Sequence, residues 1–254
     1  MLLKEFKQDE LNVKIYENRK AMGEAVGKKV ISTIKELLSE KDEINIIFGA
    51  APSQSELLET ILASPDIDWG RVNAFQQDEY IGLDRSASQL FSNFLDRHVY
   101  SKVKFKNIYY MRGDGDISKE LERYKDLIEN KGIDIALTGI GENGHIAFNE
   151  PEYADFNDPE IIKVVELDDV CRMQQVNDGC FEKMDDVPKE ALTITIPALM
   201  KSKYLFSTVP AAQKRKAVKE TILGEISESC PASIIRTKEN AEMYLDKDSG
   251  ADFI

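Results

Sequence analysis

Apolar residues in this chain fall in short runs separated by longer stretches of mixed pattern. The run Ile44-Asn45-Ile46-Ile47-Phe48 stops at the turn Gly49-Ala50-Ala51-Pro52 and predicts a buried strand. Residues 18–40 before it, and Ser53 to Ala63 after it, repeat apolar positions at helical spacing. The unit then recurs. Val72 to Phe75 predicts a strand followed by an amphipathic stretch from Ser88 to Tyr100, and Asn107 to Tyr110 precedes a helix over 116–130. Asp134 to Thr138, the irregular 139–160, the strand-like Ile162 to Leu167 and the segment 191–196 follow. Lys203 to Val209 leads into a helix over 211–223, and the strands Ser233 to Arg236 and Met243 to Asp246 finish the chain. Strand alternating with helix predicts a three-layer α/β fold, a largely parallel sheet with helices on both faces. Nothing reads as a linker, a repeat or a low-complexity tract, so residues 1–254 are expected to form a single α/β domain.

Charge narrows the function. With 46 acidic and 33 basic residues the formal net charge is -13. Such a surface repels phosphate backbones and anionic lipid, and no basic patch offsets it, so neither nucleic acid nor membrane is an expected partner. A small anion remains compatible, because a few cations and backbone N–H groups in a closed pocket outweigh a screened surface field. The three cysteines, Cys171, Cys180 and Cys230, lack paired spacing and predict buried thiols rather than a disulfide framework or zinc site. The start, MLLKEFKQDELNVKIY, carries charge throughout and has the pattern of neither a signal peptide nor an anchor, so a cytoplasmic location is expected.

Ligands of open α/β sheets bind beyond the carboxyl ends of the strands, which directs attention to the loops starting at Gly49, Gln76, Gly139 and Pro210. The segment from Gly139 to Pro151 contains G-x-G-x-x-G, but the dinucleotide fingerprint needs a helix to open at its third glycine. Here His145, Asn149, Pro151, Asn157 and Pro159 follow, which is loop chemistry, and Glu166 only imitates the ribose-binding acid. The segment instead lifts His145 beyond a strand end with Glu150 nearby, a pairing suited to moving protons. The structural alternative is a histidine bonded to a backbone carbonyl; the crevice, the three glycines and the presence of only two histidines in the chain favour function. His98, inside an apolar-patterned stretch, reads as structural.

Asp78 and Glu79 end another strand, and on an extended chain adjacent side chains point apart, so the two acids are expected to do different jobs. In Gly49-Ala50-Ala51-Pro52-Ser53-Gln54 a strand turns into a helix whose N–H groups favour an anion, the alternative being an ordinary cap by Ser53. Lys214 stands near the start of the helix after Pro210, where a cation is mildly unfavourable without an anion to meet it.

The segments Phe75-Gln-Gln-Asp-Glu-Tyr-Ile-Gly-Leu83 and Gly139-Ile-Gly-Glu-Asn-Gly-His-Ile-Ala-Phe-Asn-Glu-Pro151, supported by Val187 to Thr193 and Gln213-Lys214, resemble the glucosamine-6-phosphate deaminase family, in the larger group that includes 6-phosphogluconolactonases. The resemblance implies a Rossmann-like sheet, a lid-like segment around 152–190 and conversion of glucosamine 6-phosphate to fructose 6-phosphate plus ammonia. Asp78 would be the base, His145 oriented by Glu150 would open the sugar ring, and no metal or cofactor would be required. Ala50, Ser53, Gln54, Gly144 and Lys214 would hold the phosphosugar. Three departures stand out. Asn143 replaces an aspartate common in the family and is expected to orient rather than titrate. Pro52 removes one N–H from the anion loop. In the lid, Cys171-Arg-Met-Gln-Gln-Val-Asn-Asp178 replaces a segment that usually carries an arginine, for which Arg172 is the substitute.

The rival enzymes are a 6-phosphogluconolactonase-like hydrolase and another phosphosugar isomerase; ammonia release separates them. The rival of another class is a non-catalytic phosphosugar sensor, disfavoured because the N-terminus offers no helix-turn-helix pattern or basic face. The sequence leaves the particular hexosamine, and a homo-oligomer, open.

Overall fold

The computed structural model of the chain describes residues 1–167, 169–177 and 181–254. Eleven strands form two sheets among these residues. The main sheet holds β1 (Leu2–Gln8), β2 (Leu11–Tyr16), β3 (Ile44–Phe48), β4 (Val72–Gln76), β6 (Asn107–Tyr109), β7 (Ile135–Thr138), β10 (Tyr204–Val209) and β11 (Ala241–Asp246). Its order is β1-β2-β11-β10-β7-β3-β4-β6, parallel throughout except for the β1–β2 edge hairpin. A small antiparallel sheet, β5 (Asp78–Tyr80), β9 (Glu190–Ile194) and β8 (Ile162–Glu166), stands beside it.

The helices are α1 (Arg19–Glu40), α2 (Ser55–Leu62), α3 (Phe91–Leu95), α4 (Ile117–Lys131), α5 (Asp169–Asn177), α6 (Ile196–Met200) and α7 (Arg215–Leu223); a wider π turn, Asp96–Tyr100, prolongs α3. The side chain of Asn18 starts α1 by accepting from the Ala21 N–H at 2.8 Å. Met22, Val26, Val30, Ile34 and Leu38 then bury one stripe of it.

Strand alternation separates two cores. Ile44, Ile46 and Phe48 of β3 pack with α1 and α2 on one face, whereas Ile47 packs on the other with Tyr124 of α4, Leu199 of α6 and Val218 of α7. Helices therefore cover both faces of a mostly parallel sheet, as the strand–helix alternation requires. A third cluster, including Tyr80, Phe148, Phe181 and Val187, packs beneath the small sheet.

The structure corrects the sequence reading in three places. Residues Ser233–Arg236, expected as a strand, lie in the 3-10 helix Pro231–Thr237, because Pro231 presets a helical φ at its start and Ile235 turns into the core. The helix expected over 211–223 begins at Arg215, after a separate 3-10 turn over Ala212–Lys214. The N-terminal sixteen residues, assigned no element, form the edge hairpin. Among the described residues no helix is long and apolar enough to cross a membrane.

Candidate active site

The carboxyl ends of β3, β4 and β7 are tied to one another. The Leu137 carbonyl at the end of β7 accepts from the Gly49 N–H after β3 and from Gln77 Nε2 after β4, both at 2.9 Å. Gln54 Nε2 donates to the Thr138 carbonyl at 2.9 Å, which fixes the anion loop against β7. Beyond β10, the Ala211 N–H is held by both carboxylate oxygens of Asp246, at 3.2 and 3.0 Å, so Lys214 rises from the same edge.

The chain leaves β4 through two buried glutamines and enters β5, where Asp78 pairs with Thr193 and Glu79 with Leu192 of β9. The adjacent acids meet opposite environments. Glu79, 1% exposed, accepts four hydrogen bonds: from the Tyr80 and Phe91 N–H groups on Oε1, and from Gln76 Nε2 and the Ser92 N–H on Oε2. Asp78 is 9% exposed, and among the described residues no donor meets its carboxylate. Burial, with the Glu79 charge beside it, pushes the Asp78 carboxyl up to about 8.

The loop after β7 presents the second group. A Cβ on Gly141 would stand 2.2 Å from the His145 ring, and Gly144 holds φ of 84° with its carbonyl accepting from the Ala232 N–H at 2.8 Å, so glycines are needed at both positions of this turn. His145 Nδ1 lies 2.7 Å from Glu150 Oε1 and 2.9 Å from Asn143 Oδ1, and Asn143 Nδ2 donates to the other Glu150 oxygen. The three side chains form a closed triangle. Both of Nδ1's neighbours being oxygens, the proton sits on Nδ1 and Nε2 is left to exchange protons with a ligand. No helix opens at Gly144, so the dinucleotide geometry is absent from this loop.

The Asp78 and His145 loops converge on two residues of β9. Thr193 pairs with Asp78, and its Oγ1 accepts from the Phe148 N–H at 3.1 Å. Ile194 donates to the Gln77 carbonyl at 2.9 Å, while its own carbonyl accepts from Asn149 Nδ2 at 2.8 Å. Sequence reasoning passed over Gln77, Asn149 and Thr193; polar residues in otherwise apolar, fully buried segments were the available signal.

The anion-loop residues separate by role. Ser53 sits in the 3-10 turn Pro52–Gln54 and makes no capping bond, which leaves its hydroxyl proton uncommitted among the described residues. Gln54 is 1% exposed and spent on Thr138, with its Oε1 unbonded; half-buried Ala50 precedes it. Arg172 stands apart from this cluster. Its guanidinium is buried in α5 against the carbonyls of Met184 (2.7 Å) and Val187 (3.1 Å) and against Asp169 (3.3 Å). Asp178, Cys180 and the side chain of Cys171 lie outside the described residues. Cys230 is buried, whereas His98 is exposed and stacks on Phe94 at 4.3 Å between ring centroids.

The sequence model of the family described as glucosamine-6-phosphate isomerases/6-phosphogluconolactonase matches residues 17–244. A glucosamine-6-phosphate deaminase of Bacillus cereus (strain G9842) is 32% identical over 241 residues, covering 94% of this chain and 88% of the relative. The corresponding deaminase of Bacillus thuringiensis (strain Al Hakam) gives the same identity and coverage. Among solved structures, a monomeric glucosamine-6-phosphate deaminase superposes with a TM-score of 0.86 at 24% identity, over 94% of this chain and 98% of the other. A 6-phosphogluconolactonase of Thermotoga maritima gives 0.77 at 20% identity, over 93% and 100%. Carried by the family match across most of its length, the chain belongs to the glucosamine-6-phosphate isomerase/6-phosphogluconolactonase family of enzymes.

Proposed function

We infer that this enzyme converts an amino-sugar 6-phosphate, glucosamine 6-phosphate foremost, into the ketose 6-phosphate and ammonia. The observation that carries the reading is the buried carboxyl of Asp78, which no donor meets among the described residues, on a loop tied through β9 to the loop of the His145–Glu150–Asn143 triangle. A carboxylate held without hydrogen bonds is a strong base for its type, which abstraction of a carbon-bound proton demands.

In this reading His145, with Nδ1 fixed by Glu150 and Asn143, moves a proton from the anomeric hydroxyl to the ring oxygen and opens the pyranose. Asp78 takes the C2 proton, leaving an enolamine, and returns it to C1. The C2 iminium so formed adds water and releases ammonia, and the ketose carbonyl remains at C2. Ser53, the Ala50 and Gly144 backbone and Lys214 hold the phosphosugar, with Gln54 bracing the anion loop. Arg172 clamps 184–187 rather than reaching the phosphate, unless closure of the segment around 152–190 over the sugar exchanges its partners. Tyr80 anchors that segment as a lid through Gln175, 2.9 Å away. A cytoplasmic setting suits the buried Cys230 thiol.

The test is a panel of hexosamine 6-phosphates, with 6-phosphogluconolactone as control, assayed for ammonia and ketose phosphate. Ammonia is expected from glucosamine 6-phosphate, rising with pH toward about 8 as Asp78 ionises. Asp78→Asn is expected to lose at least about 10³-fold in kcat and His145→Ala about 10²-fold. An active Asp78→Asn enzyme removes the base assignment, and lactone hydrolysis without ammonia moves the reaction to the lactonase branch.

A further inference from the structure

The reaction proposed above employs Asp78 and leaves its buried neighbour without a task. Glu79 has no lysine or arginine within ion-pair distance among the described residues, yet both of its oxygens are filled by N–H donors. Two of those donors, Phe91 and Ser92, are the opening N–H groups of α3, and a third is the peptide N–H that follows Glu79 itself. Each oxygen receives two N–H groups, so a proton on either would face a donor instead of an acceptor; the site is built for the ionised form. Gln76 Nε2 donates to the Asp78 carbonyl at 2.7 Å and to Glu79 Oε2 at 3.0 Å, which locks the peptide between the two acids. Gln76 is itself fixed, since its N–H donates to the Tyr124 hydroxyl at 2.8 Å and its carbonyl accepts from that hydroxyl at 2.6 Å.

We propose that Glu79 is a positioning residue of this active site: a permanent buried negative charge, held by the start of α3, that strengthens Asp78 as a base and fixes the peptide bearing it. The proposal rests on Asp78 being the base. Without such a neighbour, a cation such as Lys214 brought near by the substrate draws a carboxyl toward the weakly basic, fully ionised form. A like charge held on the other side of the same peptide opposes that drift.

The other groups around the pair do not supply this effect. Tyr124 of α4 and Tyr100 of the π turn are neutral phenols hydrogen-bonded to backbone carbonyls. Asp96 accepts from the Tyr110 hydroxyl at 2.6 Å, and Arg85 is paired with Asp114 at 2.5 Å. Arg112 lines, with Glu79, a cavity of about 360 Å³ and is exposed on its rim. On the substrate side, Glu150 is matched by His145.

Two variants and one titration test the idea. The pH profile of kcat/KM for ammonia release is measured for the natural enzyme, Glu79→Gln and Glu79→Asp. Glu79→Gln is expected to move the acid limb down by about one pH unit or more and to lower the plateau about tenfold. Glu79→Asp keeps the charge, so its limb is expected at the natural position even where its rate falls. A folded Glu79→Gln enzyme with an unmoved limb overturns the proposal. Should Glu79→Gln not fold, ¹³C NMR of Glu79→Ala decides: its Asp78 carboxyl is expected to titrate about one pH unit below that of the natural enzyme, and an unmoved Asp78 signal refutes the idea. If no hexosamine phosphate yields ammonia, the functional reading fails by itself, and the Asp78 titration still reads the influence of Glu79.

Discussion

Ala211 holds φ of 82° and ψ of 148°, a conformation that only glycine adopts without strain. Asp246 imposes it. This buried carboxylate accepts from the Ala211, Asp248 and Ser249 N–H groups, and Ser249 Oγ donates to the Val209 carbonyl at 2.6 Å. The chain leaving β10 is thus bent sharply before the turn that carries Lys214. Replacing Ala211 with glycine removes a strain of about 1–3 kcal/mol and adds unfolded-state entropy worth somewhat less. Ala211→Gly is therefore expected to raise stability by about 1 kcal/mol, read as a higher urea midpoint at unchanged slope; a midpoint that stays or falls shows the bend to be relaxed. Alanine carries no sequence signal for a positive φ, so this device was illegible. The parting of Asp78 and Glu79 was legible from alternation, but which acid would be saturated depended on where α3 begins, a tertiary fact. The partners of Arg172 were illegible for a related reason: they are carbonyls, which look alike at every position of a sequence.

Elements with a full alternating or helical pattern were read closely, and those fixed by their neighbours were not. β3 emerged with the same limits as its apolar run, Ile44 to Phe48. β1 has five of seven positions exposed and no apolar period to read, and β5, only three residues long, exists because β9 pairs with it. At the amino ends of β3, β4 and the edge strand β6 a ladder of asparagines fixes the register. Asn107 Nδ2 donates to Asn73 Oδ1 at 2.7 Å, Asn73 Nδ2 to Asn45 Oδ1 at 2.9 Å, and Asn45 Nδ2 to the Lys131 carbonyl at 2.9 Å. Asn73 is fully buried in the middle of this chain of bonds. Asn73→Ala leaves the Asn45 oxygen without its donor in the interior and is expected to cost about 2 kcal/mol. Equilibrium urea unfolding measures it. Because the ladder lies at the end of the strands opposite the candidate site, kcat for ammonia release is expected to hold; a variant as stable as the natural protein shows that the ladder follows the register without enforcing it.

At the scale of the whole molecule, the edge that carries the candidate site was legible because a parallel sheet gathers its carboxyl-end loops there, whatever the details of each loop. The consequence of that gathering for stability was not legible, since it depends on how completely Asp78 is enclosed. In the folded protein this carboxyl keeps its proton up to about 8, whereas in the unfolded chain it ionises from its ordinary value of 3.8. Between those values the unfolded state binds fewer protons, so stability falls as pH rises, by about 1.4 kcal/mol per pH unit for this one group. The contribution is complete below the unfolded value and is lost as pH climbs through the folded one. The net charge of -13 also weakens the fold at high pH, so the natural protein alone does not isolate the effect. Comparison with Asp78→Asn does, because every other group titrates alike in both. The variant is expected to gain on the natural protein between pH 5 and pH 8, by about 2–4 kcal/mol in unfolding free energy. A difference that is the same at both pH values means that Asp78 is ionised and solvated in the folded enzyme, and the strong base on which the chemistry depends is then absent.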